Sequence, residues 1–235
     1  RESLTFSTNF VVKDLHCLEG LTGLTNLKLA QCRYLKSIQG IEALTNLTTL
    51  NLSVHIYDWG ESVKDLSPLK GLPNLKTLTY GYSKFTDLNC LNGLTNLTAL
   101  NLNSCDSLTD LTPLKQLINL TKLDLVDSSK ITDLTGLEGL VNLTNLNIST
   151  NAQIINMRPL QNCHKLLDSY FQSVHIQNDQ IQEQKGALKY TINHNLTEQM
   201  ALYAMAHTNP PNIKKITTLK PFMISIHILK KIKPF

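Results

Sequence analysis

Leucine recurs along residues 94–117 at positions 94, 97, 100, 102, 108, 111, 114 and 117. An amphipathic helix places apolar residues three and four apart in alternation, and a half-buried strand places them two apart. This stretch keeps neither rhythm for long, and its own rhythm returns along the chain. Leu21, Leu24, Leu27, Leu29 and Cys32 form one set, and Leu44, Leu47, Leu50, Leu52 and His55 the next. Leu72, Leu75, Leu78, Tyr80 and Ser83 follow, then Leu94, Leu97, Leu100, Leu102 and Cys105. Leu117, Leu120, Leu123, Leu125 and Ser128 make the fifth set, and Leu140, Leu143, Leu146, Ile148 and Asn151 the sixth. Successive sets start 23, 28, 22, 23 and 23 residues apart. Partial sets flank them, at Leu4, Phe6 and Asn9 and at Cys163, Leu166 and Phe171.

A fixed period of this length is the mark of a stacked array, in which no single unit buries its apolar residues without its neighbours. The L-x-L core of each set predicts one short strand, paired in parallel with the next. The second half of each unit carries an apolar triplet in steps of three, such as Leu108, Leu111 and Leu114 or Ile131, Leu134 and Leu137. That step suits extended or 3₁₀ turns, where residues i and i+3 eclipse, and argues against long helices on the outer side.

The string L-x-x-L-x-L-x-x-N/C-x-L is the leucine-rich repeat signature. With its LTNL units (44–47, 94–97), the strand motifs LNLS, LNLN, LDLV and LNIS, and TDLTPL and TDLTGL (109–114, 132–137), the chain resembles the short-repeat subclass. It is similar to the bacterial internalins and to the repeat-containing regulatory subunit of protein phosphatase 1. The resemblance covers about residues 4–168. It implies an α/β solenoid: a right-handed superhelix with a concave parallel sheet of short strands, a 3₁₀ or extended convex side, and a small C-terminal cap. Residues 1–168 are expected to hold seven to eight rungs, the first incomplete, and residues 169–235 a cap or small α/β unit. In this last segment ALKYTINH (187–194) and FMISIHIL (222–229) alternate or run like strands, and Pro210 and Pro211 close a short helix opened at Asn195. One departure from the pattern is at the turn, where Asn is replaced by Cys32, His55, Ser83, Cys105 and Ser128.

The chemistry-bearing residues form ladders. Asp14, Asp65, Asp87, Asp110 and Asp133 each precede a convex leucine. One carboxylate per rung falls short of the six to eight oxygens calcium takes, so local capping of backbone N–H groups is expected. Asn46, Asn74, Asn96, Asn119 and Asn142 are expected to bond turn backbone between rungs. The five cysteines show no C-x-x-C and read as small buried hydrophobes. The seven histidines have no metal spacing, and no hydrolase, kinase or nucleotide motif occurs. We therefore expect no enzyme, no catalytic residue, no metal and no cofactor.

Charge is uneven. The whole chain carries +4, yet all six charged residues of 201–235 are lysines, so the rest is nearly balanced. The lysine-rich tail reads as a solubilising edge rather than a nucleic-acid or membrane site. Seven N-x-S/T sequons, including Asn51 and Asn147 on the concave face, argue against a eukaryotic secretory route. No signal peptide is read, and the missing initial Met reads as a processed or trimmed chain.

Side chains between the strand leucines face the concave side. They read as columns: Asn26, Thr49, Thr77, Ala99, Lys122, Asn145; then Lys28, Asn51, Thr79, Asn101, Asp124, Asn147. Further columns run through Ser53, Gly81, Asn103 and Val126, and through Tyr82, Ser104 and Asp127. Lys28, Asn51, Asn101, Asn103, Lys122, Asp124, Asp127 and Asn147 are the expected contacts to a protein partner. The segment HIYDWGESV (55–63) holds the five-residue insertion and the only Trp. It suggests either an aromatic grip of Tyr57, Trp59 and Tyr82, or a Trp59 that folds back over the longer turn. The internalin resemblance implies a secreted or surface protein of a bacterium that engages a host or envelope protein. An intracellular regulator, a delivered effector, or the targeting part of a larger enzyme are the alternatives.

Overall fold

The computed structural model describes residues 2–6, 12–29, 32, 34–53, 63, 65–148, 158–160 and 162–166. Seven strands are β1 Ser3–Thr5, β2 Asn26–Lys28, β3 Thr49–Asn51, β4 Thr77–Thr79, β5 Ala99–Asn101, β6 Lys122–Asp124 and β7 Asn145–Asn147. They form one parallel sheet in sequence order, without a crossover. The register is translational: Leu4, Leu27, Leu50, Leu78, Leu100, Leu123 and Leu146 stand opposite one another along the stack. The return path holds short 3₁₀ turns at His16–Leu18, Ile41–Ala43, Ser67–Gly71, Asn89–Leu91, Thr112–Gln116 and Arg158–Leu160. This is the expected leucine-rich repeat solenoid.

One apolar core runs through the described rungs. Both halves of each unit feed it: Leu94, Leu97, Leu100 and Leu102 from the strand side, Leu108, Leu111 and Leu114 from the return. Two polar ladders bind rung to rung along its flanks. The side-chain amides of Asn46, Asn74, Asn96, Asn119 and Asn142 donate to Thr22, Thr45, Pro73, Thr95 and Ile118 carbonyls at 2.8–2.9 Å. The hydroxyls of Thr25, Thr48, Thr98, Thr121 and Thr144 likewise donate to a carbonyl of the preceding rung. The motif LTNLT thus supplies two apolar residues and two ties: the Asn amide takes a turn carbonyl that stacking would otherwise leave unpaired, and the Thr hydroxyl adds to a carbonyl that backbone N–H groups already reach. The convex aspartates each accept the N–H two residues on, Asp110 from Thr112 at 2.8 Å and Asp87 from Asn89 at 2.7 Å. The other three do the same, with His16, Ser67 and Thr135. These are Asx turns, and those at Asp14, Asp65, Asp87 and Asp110 open 3₁₀ segments.

Four positions depart from the sequence expectation or went unread in it. Leu21 is 44% exposed, although its equivalents Leu44, Leu72, Leu94, Leu117 and Leu140 are at most 1% exposed. It belongs to the second rung, where little of the described chain lies on the far side to cover it. Cys17 is exposed and Cys90 partly so, unlike the buried Cys32, Cys105 and Cys163. Both precede a 3₁₀ leucine; Cys17 is left on the convex surface, while Cys90 still packs partly against the core. Tyr80 replaces the second strand leucine in the rung that follows the insertion. It is 1% exposed, donates its hydroxyl to the Val63 carbonyl and packs on Phe85 with ring centroids 5.2 Å apart. The expected unit at 169–235 lies outside the described residues.

Candidate binding face

Because each strand is only three residues long, its middle leucine goes inward and its two flanking side chains go outward. The register turns these into two straight columns. Asn26, Thr49, Thr77, Ala99, Lys122 and Asn145 stand side by side, as do Lys28, Asn51, Thr79, Asn101, Asp124 and Asn147. Lys28 and Lys122 are exposed; Asn51, Asn101, Asp124 and Asn147 are partly buried among their neighbours. A trough of about 400 Å³ lies over β4–β7, floored by Leu78, Leu100 and Leu123 and edged by Thr77, Thr79, Asn101, Asn145 and Asn147.

The second column is held by its own backbone. The side-chain oxygens of Asn51, Asn101 and Asp124 accept the N–H of Ser53, Asn103 and Val126 at 2.9, 3.2 and 3.3 Å. This bond fixes the side chain against the exit of its strand, so it meets a partner with little rotamer freedom left to lose. Burial pushes the Asp124 carboxyl above the ordinary carboxylate range, against the pull of the Val126 N–H and the Asn103 side chain. Asn103 sits just beyond the sheet, and its side-chain oxygen is buried without a hydrogen-bond partner.

At the strand exits the chain turns through left-handed backbone at Tyr82 (φ 59°), Ser104 (φ 55°) and Asp127 (φ 57°). The three are equivalent positions on successive rungs. The turn is therefore a demand of the repeat, made although such a conformation costs a non-glycine residue about 1–3 kcal/mol. Tyr82 and Ser104 recover a bond each, donating N–H to the Asn103 and Val126 carbonyls at 2.7 Å. Gly81 is required beside them, because a Cβ there would stand 2.8 Å from the Asn103 carbonyl oxygen. Behind this turn Ser83, Cys105 and Ser128 are buried. Ser128 accepts the Cys105 N–H and donates to the Leu102 carbonyl, both at 3.2 Å. Small residues here do the work expected of asparagine.

The sheet brings Lys28, Asn51, Asn101, Lys122, Asp124 and Asn147 onto one face, with Asn103 and Asp127 at its exit rim. Tyr82 is 46% exposed on that rim; Tyr57 and Trp59 lie outside the described residues. The sequence reading passed over two exposed apolar residues on the opposite rim, Ile118 and Val141, which occupy equivalent positions in adjacent rungs. Their signal was the replacement of Thr by Ile and Val in the LTNL unit. Among the described residues, no group of His, Cys, Asp and Glu is arranged to hold a metal ion. No helix there is long and apolar enough to cross a membrane.

Seven parallel three-residue strands, 3₁₀ returns and an unbroken leucine core define a leucine-rich repeat protein. Comparison with solved structures carries the assignment further. The chain is 33% identical to internalin C2 of Listeria monocytogenes, with a TM-score of 0.58, over 69% of this chain and 67% of that one. It belongs to the internalin family. A second internalin of the same organism, internalin F, is 26% identical with a TM-score of 0.37, over 70% of this chain and 65% of that one. No family model matches the chain, and no curated protein matches it. The likeness to the phosphatase regulatory subunit rests on the sequence motif alone.

Proposed function

We propose that this chain is a non-catalytic protein-recognition module, displayed on or secreted from a bacterium, that grips a host or envelope protein with its exposed sheet face. The observation that carries this reading is the two-column grid. Its side chains are mostly hydrogen-bonding, those of Asn51, Asn101 and Asp124 are held by backbone N–H groups at their strand exits, and all stand on a backbone that the rung ladders hold. Membership of the internalin family supports a protein partner. At the rim, exposed Tyr82 supports the aromatic grip in which Tyr57 and Trp59 take part, since aromatic residues carry much of the energy of protein interfaces.

The test is affinity capture with the 235-residue chain as bait, beside a variant carrying Lys28→Ala, Asn51→Ala, Asn101→Ala and Asn147→Ala, and a Trp59→Ala variant. Retention of a protein by the native chain, its loss from the four-site variant, and an unchanged thermal unfolding curve are expected. Equal capture by the native and four-site baits would remove the sheet face from the proposal. Lost stability with intact capture in Trp59→Ala would remove the aromatic grip.

A further inference from the structure

The trough over β4–β7 has a charge pattern that the rest of the sheet lacks. Of the residues lining it, only Lys122 and Asp124 are charged. They are alternate residues of one strand, on one face, about 6.5–7 Å apart along β6 at the usual strand rise. Among the described residues no ion pair joins the two. Asp124 is tethered away from its neighbour, its carboxylate taking the Val126 N–H and the Asn103 side chain. No other strand from β2 to β7 carries two charged residues. The flanking positions on β5 and β7 are Ala99, Asn101, Asn145 and Asn147, which hydrogen-bond or stay neutral and offer no competing charge.

We infer that this trough seats an extended polypeptide segment with one basic and one acidic side chain two residues apart, the base against Asp124 and the acid against Lys122. The interval is the reason for the segment's conformation. Side chains i and i+2 of an extended chain emerge on one side with the same separation as Lys122 and Asp124. The opposed charges then fix the register and direction of the segment, the use to which interfacial charge is best suited. Asn101, Asn145 and Asn147 border the seat with amide groups that suit its backbone. Asp124 also stands as a partly buried acid without a cation among the described residues, where the same column elsewhere uses Lys, Thr or Asn. Such a residue costs the fold something and gains a purpose when a cation arrives.

This inference rests on the protein-recognition reading and is tested separately from it. The ¹⁵N-labelled chain is titrated at low salt with acetyl-Ser-Arg-Thr-Glu-Ser-amide, with the neutral peptide acetyl-Ser-Gln-Thr-Gln-Ser-amide, and with acetyl-Ser-Arg-Thr-Arg-Ser-amide. Saturable shifts confined to β5–β7 are expected with the first peptide, and weaker binding of the other two. Asp124→Asn and Lys122→Gln should each weaken the first peptide by roughly two- to fivefold, the range of a partly exposed ion pair. Neither substitution should lower the unfolding temperature, and added salt should weaken binding. Equal affinity for the charged and neutral peptides, indifference to both substitutions, or no shift at millimolar peptide overturns the inference. If the sheet face captures a protein while the three peptides behave alike, the charge pair falls and the recognition reading stands.

Discussion

Tyr80 offers the sharpest test of how the array absorbs its irregular rung. The unit from Leu44 to Leu72 is 28 residues long where its neighbours have 22 or 23, and the extra chain returns to the core at Val63. Tyr80 meets it there, with the hydroxyl on the Val63 carbonyl and the ring tilted 37° against Phe85. Tyr80→Phe removes the hydroxyl and keeps the ring. It leaves a buried carbonyl without its partner, at a cost of about 1–3 kcal/mol. For an array of this size each kcal/mol moves the midpoint by roughly 2–4 °C, so a fall of about 2–12 °C is expected. Tyr80→Leu restores the commonest residue of the repeat but leaves a cavity beside Phe85, and a larger loss of about 2–4 kcal/mol is expected. The assay is guanidinium unfolding followed by circular dichroism, with the slope checked for two-state behaviour. The reasoning fails if Tyr80→Phe unfolds within about 0.3 kcal/mol of the native chain, well below the expected cost of the lost bond. It also fails if Tyr80→Leu proves the more stable.

Two further outcomes follow from the same geometry. Asp110→Ala removes the Asx turn that opens the Thr112–Gln116 segment and should cost about 1 kcal/mol near neutral pH. The Thr112 N–H and hydroxyl hold the Asp110 carboxyl below its ordinary 3.8. The stabilisation is therefore present above that value and lost as pH falls through the lower folded pKa, so the two unfolding curves should converge in acid. Convergence on raising the pH instead would contradict the assignment. Among cysteines, Cys105 is fully buried, and burial pushes its thiol up to about 12. In the folded chain iodoacetamide should modify exposed Cys17 well before Cys105, as peptide mass spectrometry reads. Comparable rates at the two sites would refute the packing described for the turn.

The translational part of the fold was legible from the leucines alone. The L-x-L spacing placed all seven strands, and the columns it predicted are the columns the register produces. The capping aspartates and bridging asparagines were legible because each does a local job repeated at one position per rung. What escaped was whatever depends on a neighbour the repeat does not specify. Leu21 carries the pattern of a core residue and is exposed, because burial belongs to the rung beside it rather than to the residue. The Tyr80 hydroxyl finds its acceptor seventeen residues back, at the end of an insertion with no counterpart in the other units. The left-handed turns at Tyr82, Ser104 and Asp127 are written in no glycine, only in the demands of stacking. For the candidate site, the columns gave membership of the face but not which polar atoms are already engaged. The bonds from Ser53, Asn103 and Val126 to the second column, and the cation-free setting of Asp124, needed coordinates.

The register has a consequence for how such a surface changes. Leucine faces leucine at every step from β1 to β7, so one unit meets the next through the same joint wherever it sits. Loss or duplication of a whole unit therefore preserves the joint while displacing a row of surface chemistry by one strand spacing, about 4.8 Å. Lys122 and Asp124 travel together on such a row. A lineage could reposition that pair against a partner by copying units, without altering a single residue within them.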